Sequence, residues 1–217
     1  MAPPIPVAFV EPGRDCPLCP RLAAFRDVQR TAHPAWFNAP VPVWGDPAAR
    51  IAIVGLAPGL QGANRTGRPF TGDFAGELLY ATLLANGLAT GTYAARPDDG
   101  LVLTGAVIVN AVRCVPPQNK PLPAEIATCR QFLAPVLAAL PTLRVVVALG
   151  QIAHQSAVKA LGGTLSRLKF GHGAEHETPA GPLLIDSYHC SRYNQNTRVL
   201  TPAMFEAVFA RAAALAA

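Results

Sequence analysis

Four short runs of branched aliphatic residues, separated by helix-like stretches, constrain the fold more than any other feature of this sequence. Ile51-Ala-Ile-Val54, Ala106-Val-Ile-Val-Asn110, Val145-Val-Val-Ala-Leu149 and Leu183-Leu-Ile-Asp186 are continuous rather than alternating, the pattern of strands buried on both faces. Helical patterns run from about Phe74 to Leu88, from the Val115–Pro123 loop through Leu140, around Gln151–Leu161, and from near Pro202 into the Ala-rich C-terminus. The resulting β-α-β-α-β-α-β-α order predicts a three-layer α/β/α fold around a central, mainly parallel four-stranded sheet. A chain of 217 residues, 51% of them hydrophobic, has ample material for one such core. No apolar run reaches about 18 residues, so no membrane-spanning helix is expected.

In parallel sheets the working loops lie at the carboxyl ends of the strands. That rule selects Gly55–Asp73, Asn110–Cys114 and Ser187–Asn196, all rich in glycine and polar residues. The first loop has the glycine density of an anion cradle. It has neither the Gly-Lys-Ser/Thr of a Walker A loop nor G-x-G-x-x-G, so a nucleotide-binding reading has no motif behind it. A formal net charge of +5 is compatible with a polyanionic partner.

Five cysteines divide unequally. Cys16-Pro-Leu-Cys19 places two thiols on one proline-flanked turn, and Cys114 and Cys129 form a wider pair a hundred residues on. Four such residues can complete an S4 metal site, and ligand type alone leaves zinc and a [4Fe-4S] cluster equally open. The alternative is four unrelated buried thiols. Pro3, Pro4 and Pro6 break up any secretory apolar region, so a reducing cytoplasm is expected, with the thiols free for metal. Cys190 belongs to the third loop and is not expected to be a ligand. His172-Gly-Ala-Glu-His176 has the spacing of a helical metal pair but contains a glycine and lacks helical support. No catalytic role is expected for His33, His154, His172 or His176.

Gly55-Leu-Ala-Pro-Gly59 together with Asn64-Arg-Thr-Gly-Arg-Pro-Phe-Thr-Gly-Asp73 resembles the first motif of the family 5 uracil-DNA glycosylases. Asn110-Ala-Val-Arg-Cys-Val-Pro-Pro is similar to their second motif, and His189-x-Ser-Arg-x-Asn-x-Asn-Thr197 to their third. The cysteines share that family's order and spacing, and the likeness runs from about residue 14 to residue 205. One departure is Cys190, where a small apolar residue follows the histidine in the family pattern. The resemblance implies the uracil-DNA glycosylase fold as one domain over residues 1–217. It also implies a [4Fe-4S] cluster on Cys16, Cys19, Cys114 and Cys129 that ties in the N-terminal segment, and a monomer acting on single- or double-stranded DNA.

Glycosidic cleavage of deoxyuridine builds positive charge on the sugar and negative charge on the base, which must first be flipped out of the duplex. By resemblance, Gly55, Ala57 and Gly59 shape the base pocket and Phe70 stacks on the base. The Asn110 amide donates to uracil O4 and accepts from N3–H. His189 donates to O2 as charge develops there. Leu56 can neither polarise nor position water, so either a nearby carboxylate substitutes or the reaction proceeds by leaving-group stabilisation alone. Asp73 is the candidate, with a helix N-cap role as the equal alternative and Glu77 as its capping partner. Arg65, Arg68, Lys120, Arg192, Asn194, Asn196 and Arg198 are expected to grip DNA, with Arg192-Tyr-Asn-Gln195 able to wedge into the space left by the flipped base. Two other classes compete with this reading: a non-catalytic nucleic-acid-binding module on an S4 site, and a phosphate-binding enzyme.

Overall fold

The computed structural model describes residues 9–217; the three N-terminal prolines lie outside them. In chain order the elements are α1 (Pro20–Ala32), β1 (Trp44–Gly45), β2 (Ile51–Gly55), α2 (Ala63–Thr66), α3 (Phe74–Ala85), β3 (Ala89–Thr90), β4 (Val102–Leu103) and β5 (Ala106–Asn110). They continue with a 3-10 turn (Pro117–Asn119), α4 (Pro123–Ala139), β6 (Val145–Leu149), α5 (Gln151–Ala160), β7 (Glu175–His176), β8 (Leu183–Ser187), α6 (Arg192–Asn196) and α7 (Pro202–Ala216). The four expected strands pair in parallel in the order β5-β2-β6-β8. Two-residue antiparallel strands extend the sheet at each edge, β1 on β5 and β7 on β8, giving six strands rather than four. β3 and β4 form a separate two-stranded ribbon.

Every residue of β2, β5 and β6 is buried, because side chains that alternate across the pleat are covered on both faces. Ile51, Ile53, Ile108, Val145, Val147 and Ile185 pack against α3 and α7, chiefly Leu79, Leu83, Phe205 and Phe209. Ala52, Val54, Val107, Val109, Val146 and Leu184 pack against α4 and α5 through Leu133, Val136, Ala157 and Val158. No helix among the described residues is long and apolar enough to cross a membrane.

Register then builds the site. Gly55 and Asn110 are paired at the carboxyl ends of β2 and β5, and Leu149 and Ser187 at those of β6 and β8. All three expected loops therefore open on one edge of the sheet. Two of them contain short helices: α2 lies within the first, and α6 forms the second half of the third.

α1 has no counterpart in the sequence reading. Its buried face carries Leu22, Arg26 and Gln29, so helical periodicity is present but not hydrophobic. The helix is tied to the body by ion pairing of Arg21 with Glu125 at 2.7 Å, and Arg21 also donates to the Lys120 carbonyl.

Candidate active site and cysteine cluster

The three loops enclose a cavity of about 380 Å³ lined by Ala57, Gly59, Phe70, Asp73, Asn110 and His189 among others, within the usual range for small-molecule sites. All six are residues that the sequence singles out for the base or the chemistry. Gly55 lies behind that wall. A Cβ on Gly55 would meet Asn110 Oδ1 at 2.4 Å and the Phe70 ring at 2.8 Å, so only glycine lets these two side chains converge. Phe70 holds a left-handed backbone, φ 53°, a strained conformation for an aromatic residue that clusters at functional sites. Its ring lies 6.1 Å from that of His189, tilted by 30°. Asn110 is buried, and its Oδ1 has no hydrogen-bond partner among the described residues. A buried carbonyl oxygen left unpaired is costly, by about 1–3 kcal/mol, unless a ligand N–H completes it.

Asp73 caps α3 and also lines the cavity. Oδ1 accepts from the Gly76 N–H at 3.2 Å as the N-cap of α3. Oδ2 faces the glycine floor, where a Cβ on Gly62 would come within 2.4 Å and one on Gly59 within 3.2 Å. Burial raises the pKa of this carboxyl above its ordinary value, against the pull of the Gly76 and Ala75 amides. Glu77 follows the third helical residue, Gly76, and so is not the partner of a capping box. His189 lines the same cavity, and burial drops its pKa to about 4. At neutral pH its imidazole is uncharged and donates through a single N–H.

The expected DNA-gripping residues separate. Arg68 is a correction: its guanidinium is buried, forms a forked pair with Asp99 at 2.7 and 2.8 Å and donates to Thr71 Oγ1 at 2.6 Å. It also sits over the Trp44 and Tyr80 rings. That pairing holds the Asp99 carboxyl far below the usual carboxylate range, and burial keeps the guanidinium from the surface where a phosphate would lie. Asn194 turns inward, donating from Nδ2 to the His189 carbonyl at 2.8 Å. Arg65, Lys120, Arg192, Asn196 and Arg198 are exposed. Arg192 lines the cavity mouth, over the Phe74 ring at 4.9 Å, and Tyr193 beside it is 73% exposed. Arg65 lies beside a separate groove with Trp36, Phe37 and Arg96. Asn119, Phe74 and Ser191 also line the main cavity; nothing in their spacing sets them apart in the sequence.

Cys16, Cys19, Cys114 and Cys129 line one small cavity between α1, α4 and the loop after β5. Burial pushes the Cys114 thiol up to about 11 and the Cys129 thiol up to about 12. The Arg113 N–H donates to Cys129 Sγ at 3.3 Å. Arg26 is buried beside Cys114, donating to the Cys16 carbonyl at 3.1 Å while its Nε has no hydrogen-bond partner among the described residues. Among the described residues only His154, His176 and Asp186 bring three ligand atoms within 4.8 Å of one another; the cysteine sulfurs are spaced more widely. Cys190 is remote from this group, fully buried in the main core near Asp73.

A parallel sheet with helices on both faces and an aromatic-walled cavity at the carboxyl ends of its strands defines an α/β protein with its site in the usual place for that architecture. The uracil DNA glycosylase superfamily model matches residues 42–213. A type-5 uracil-DNA glycosylase of Thermus thermophilus is 46% identical over 215 residues, covering 96% of this chain and 97% of that protein. One of Pyrobaculum aerophilum is 40% identical over 210 residues, covering 95% and 91%. A type-4 uracil-DNA glycosylase of Thermotoga maritima is 32% identical over 155 residues, 70% of each chain. The chain belongs to the uracil DNA glycosylase superfamily, in its type-5 branch.

Proposed function

We propose that this protein is a DNA repair glycosylase that flips uracil out of DNA and hydrolyses its N-glycosidic bond, leaving an abasic site. The observation that carries this reading is the unpaired, buried Oδ1 of Asn110 beside Phe70. An acceptor there takes the N3–H of a uracil stacked on the Phe70 ring, while the amide Nδ2 is available to O4. In the same cavity, neutral His189 donates to O2 as the departing base gains negative charge. Asp73 Oδ2 holds the water that attacks the sugar. Arg192 at the mouth, with Arg65, Lys120, Asn196 and Arg198, supplies phosphate contacts, and exposed Tyr193 fills the gap in the stack. The protein acts as a monomer and a single domain over residues 1–217, in the cytoplasm, on single- or double-stranded DNA. The test is a panel of uracil, hypoxanthine, xanthine and 5-substituted uracils in both DNA forms, scored for release of free base.

The four convergent cysteines suit a [4Fe-4S] cluster that ties the N-terminal segment to the body. Around zinc, with Zn–S of about 2.3 Å, tetrahedral sulfurs sit roughly 3.8 Å apart; a wider set accommodates the larger cluster. Buried Arg26 and the Arg113 amide offset thiolate charge. The bound cluster would supply structural cross-linking, not a step of the hydrolysis. The protein purified anaerobically is expected to be yellow-brown with about four irons per chain. Cys16→Ala and Cys129→Ala should lose colour and solubility together, whereas Cys190→Ala keeps both. A colourless, zinc-loaded and active wild type contradicts the assignment.

Gly59 leaves the edge of the pocket without a side chain, so 5-substituted uracils and some deaminated purines should also be accepted. Pocket volume discriminates by only about 1–3 kcal/mol. Its φ lies outside the left-handed range, but a Cβ there meets Asp73 Oδ2 at 3.2 Å. Gly59→Tyr is therefore expected to lose activity on 5-hydroxymethyluracil and keep a reduced rate on uracil. Complete rejection of 5-hydroxymethyluracil by wild type would show that Gly59 serves loop geometry alone.

A further inference from the structure

The segment Gly171-His172-Gly-Ala-Glu-His176 takes no part in the proposed chemistry, yet it grips the strand that delivers His189. β7 pairs with β8, placing Glu175 opposite Ile185 and His176 opposite Leu184. Gly171 N–H donates to Asp186 Oδ2 at 3.3 Å. Gly173 N–H donates to the Asp186 carbonyl at 2.8 Å, and Asp186 N–H to Ala174 O at 3.0 Å. His154 Nδ1 and His176 Nε2 meet the two oxygens of Asp186 at 2.7 and 3.1 Å, and His154 Nε2 meets Leu168 O at 3.0 Å. The ligand atoms of these three residues are thus engaged with one another, as a hydrogen-bonded clamp on the end of β8 rather than a vacant metal site.

His172 extends the clamp past the strand. Its Nδ1 accepts from the Tyr188 N–H at 3.1 Å, and its ring stacks on that of Tyr188 with centroids 5.0 Å apart and planes 23° apart. His189 is the next residue. Its Cβ rests on Gly150, where an added Cβ would lie 3.2 Å away, and its carbonyl is held by Asn194. The peptide one residue earlier, between Ser187 and Tyr188, is held by His172.

We propose that His172 is a positioning residue for His189: by accepting the Tyr188 N–H and stacking on its ring, it fixes the height of the histidine loop over the pocket. This rests on the glycosylase reading. Accepting requires an unprotonated Nδ1, hence a neutral ring, and burial favours that form. Misplacing a catalytic group by about 1 Å costs up to roughly 10²-fold in rate, and the strand pairing and Asn194 limit the displacement here.

The experiment uses the full chain carrying His172→Ala or His172→Asn. Asparagine offers Oδ1 where histidine offers Nδ1. Three readouts are taken: single-turnover excision of uracil, affinity for uracil-containing DNA, and amide hydrogen exchange at Tyr188. His172→Ala should slow the chemical step about tenfold with unchanged DNA affinity and speed exchange at Tyr188, and His172→Asn should return to within about threefold of wild type. A wild-type rate in His172→Ala, or a loss that His172→Asn does not restore, overturns the proposal. If wild type itself leaves uracil in place, the glycosylase reading fails instead. Exchange then decides alone: unchanged Tyr188 protection in His172→Ala overturns the positioning role, and faster exchange supports it.

Discussion

His189→Ala slows single-turnover excision of uracil by about 10²–10³-fold, the range for loss of one oxyanion-type donor, with DNA affinity within a few-fold of wild type. The split follows from where the side chain sits. His189 faces the cavity rather than the surface that meets phosphates, so its removal takes nothing from the grip on DNA. Burial keeps the ring neutral, with a pKa of about 4, so the proposed stabilisation of the departing base runs through a hydrogen bond and not through a formal charge. A donor matched to charge that appears only in the transition state lowers the rate of the step without weakening binding. Equal losses in rate and affinity would place His189 in DNA binding instead.

Asp73→Asn lowers the same rate by roughly 10²-fold, the lower end for a positioned acid–base group, and leaves the fold intact. Asparagine caps a helix as well as aspartate does, so the Gly76 bond survives, whereas Asp73→Ala should lose about 1 kcal/mol of stability along with the rate. The carboxyl pKa is raised by burial, so the stability contribution of Asp73 is fully present below its unfolded pKa. It is lost as pH rises through the folded value. Asp73→Asn removes that loss and should be at least as stable as wild type at neutral pH. On the acid side, wild type slows as Asp73 takes up a proton, and the Asn variant lacks that limb. A wild-type rate in Asp73→Asn would reduce the residue to its cap.

The central sheet was legible because Val145–Leu149 and its counterparts are buried on both faces, which writes itself as an unbroken apolar run. The two-residue edge strands β1 and β7 are too short to leave any pattern. α1 was missed because Arg26 and Gln29 occupy its buried face, turned toward the cysteines and the loops rather than an apolar core. Phe70, Asp73, Asn110 and His189 stood out by motif, and the structure brings all four to one cavity. What sequence did not carry was pairing over distance. Arg68 looks like any loop arginine until Asp99, 31 residues on, is seen to hold it. Asn194 looks like a DNA contact until its amide is found on the His189 carbonyl. His172 meets a backbone amide, and a backbone partner leaves no signature in residue identity.

The most direct test mixes excess wild-type protein with a duplex carrying one uracil and follows two products together, free uracil and the alkali-labile abasic site. Both should appear at the same rate and in equal amounts, and a duplex with cytosine at that position should react far more slowly. Tight binding to the uracil duplex with neither product formed would contradict the account and leave a nucleic-acid-binding module in its place.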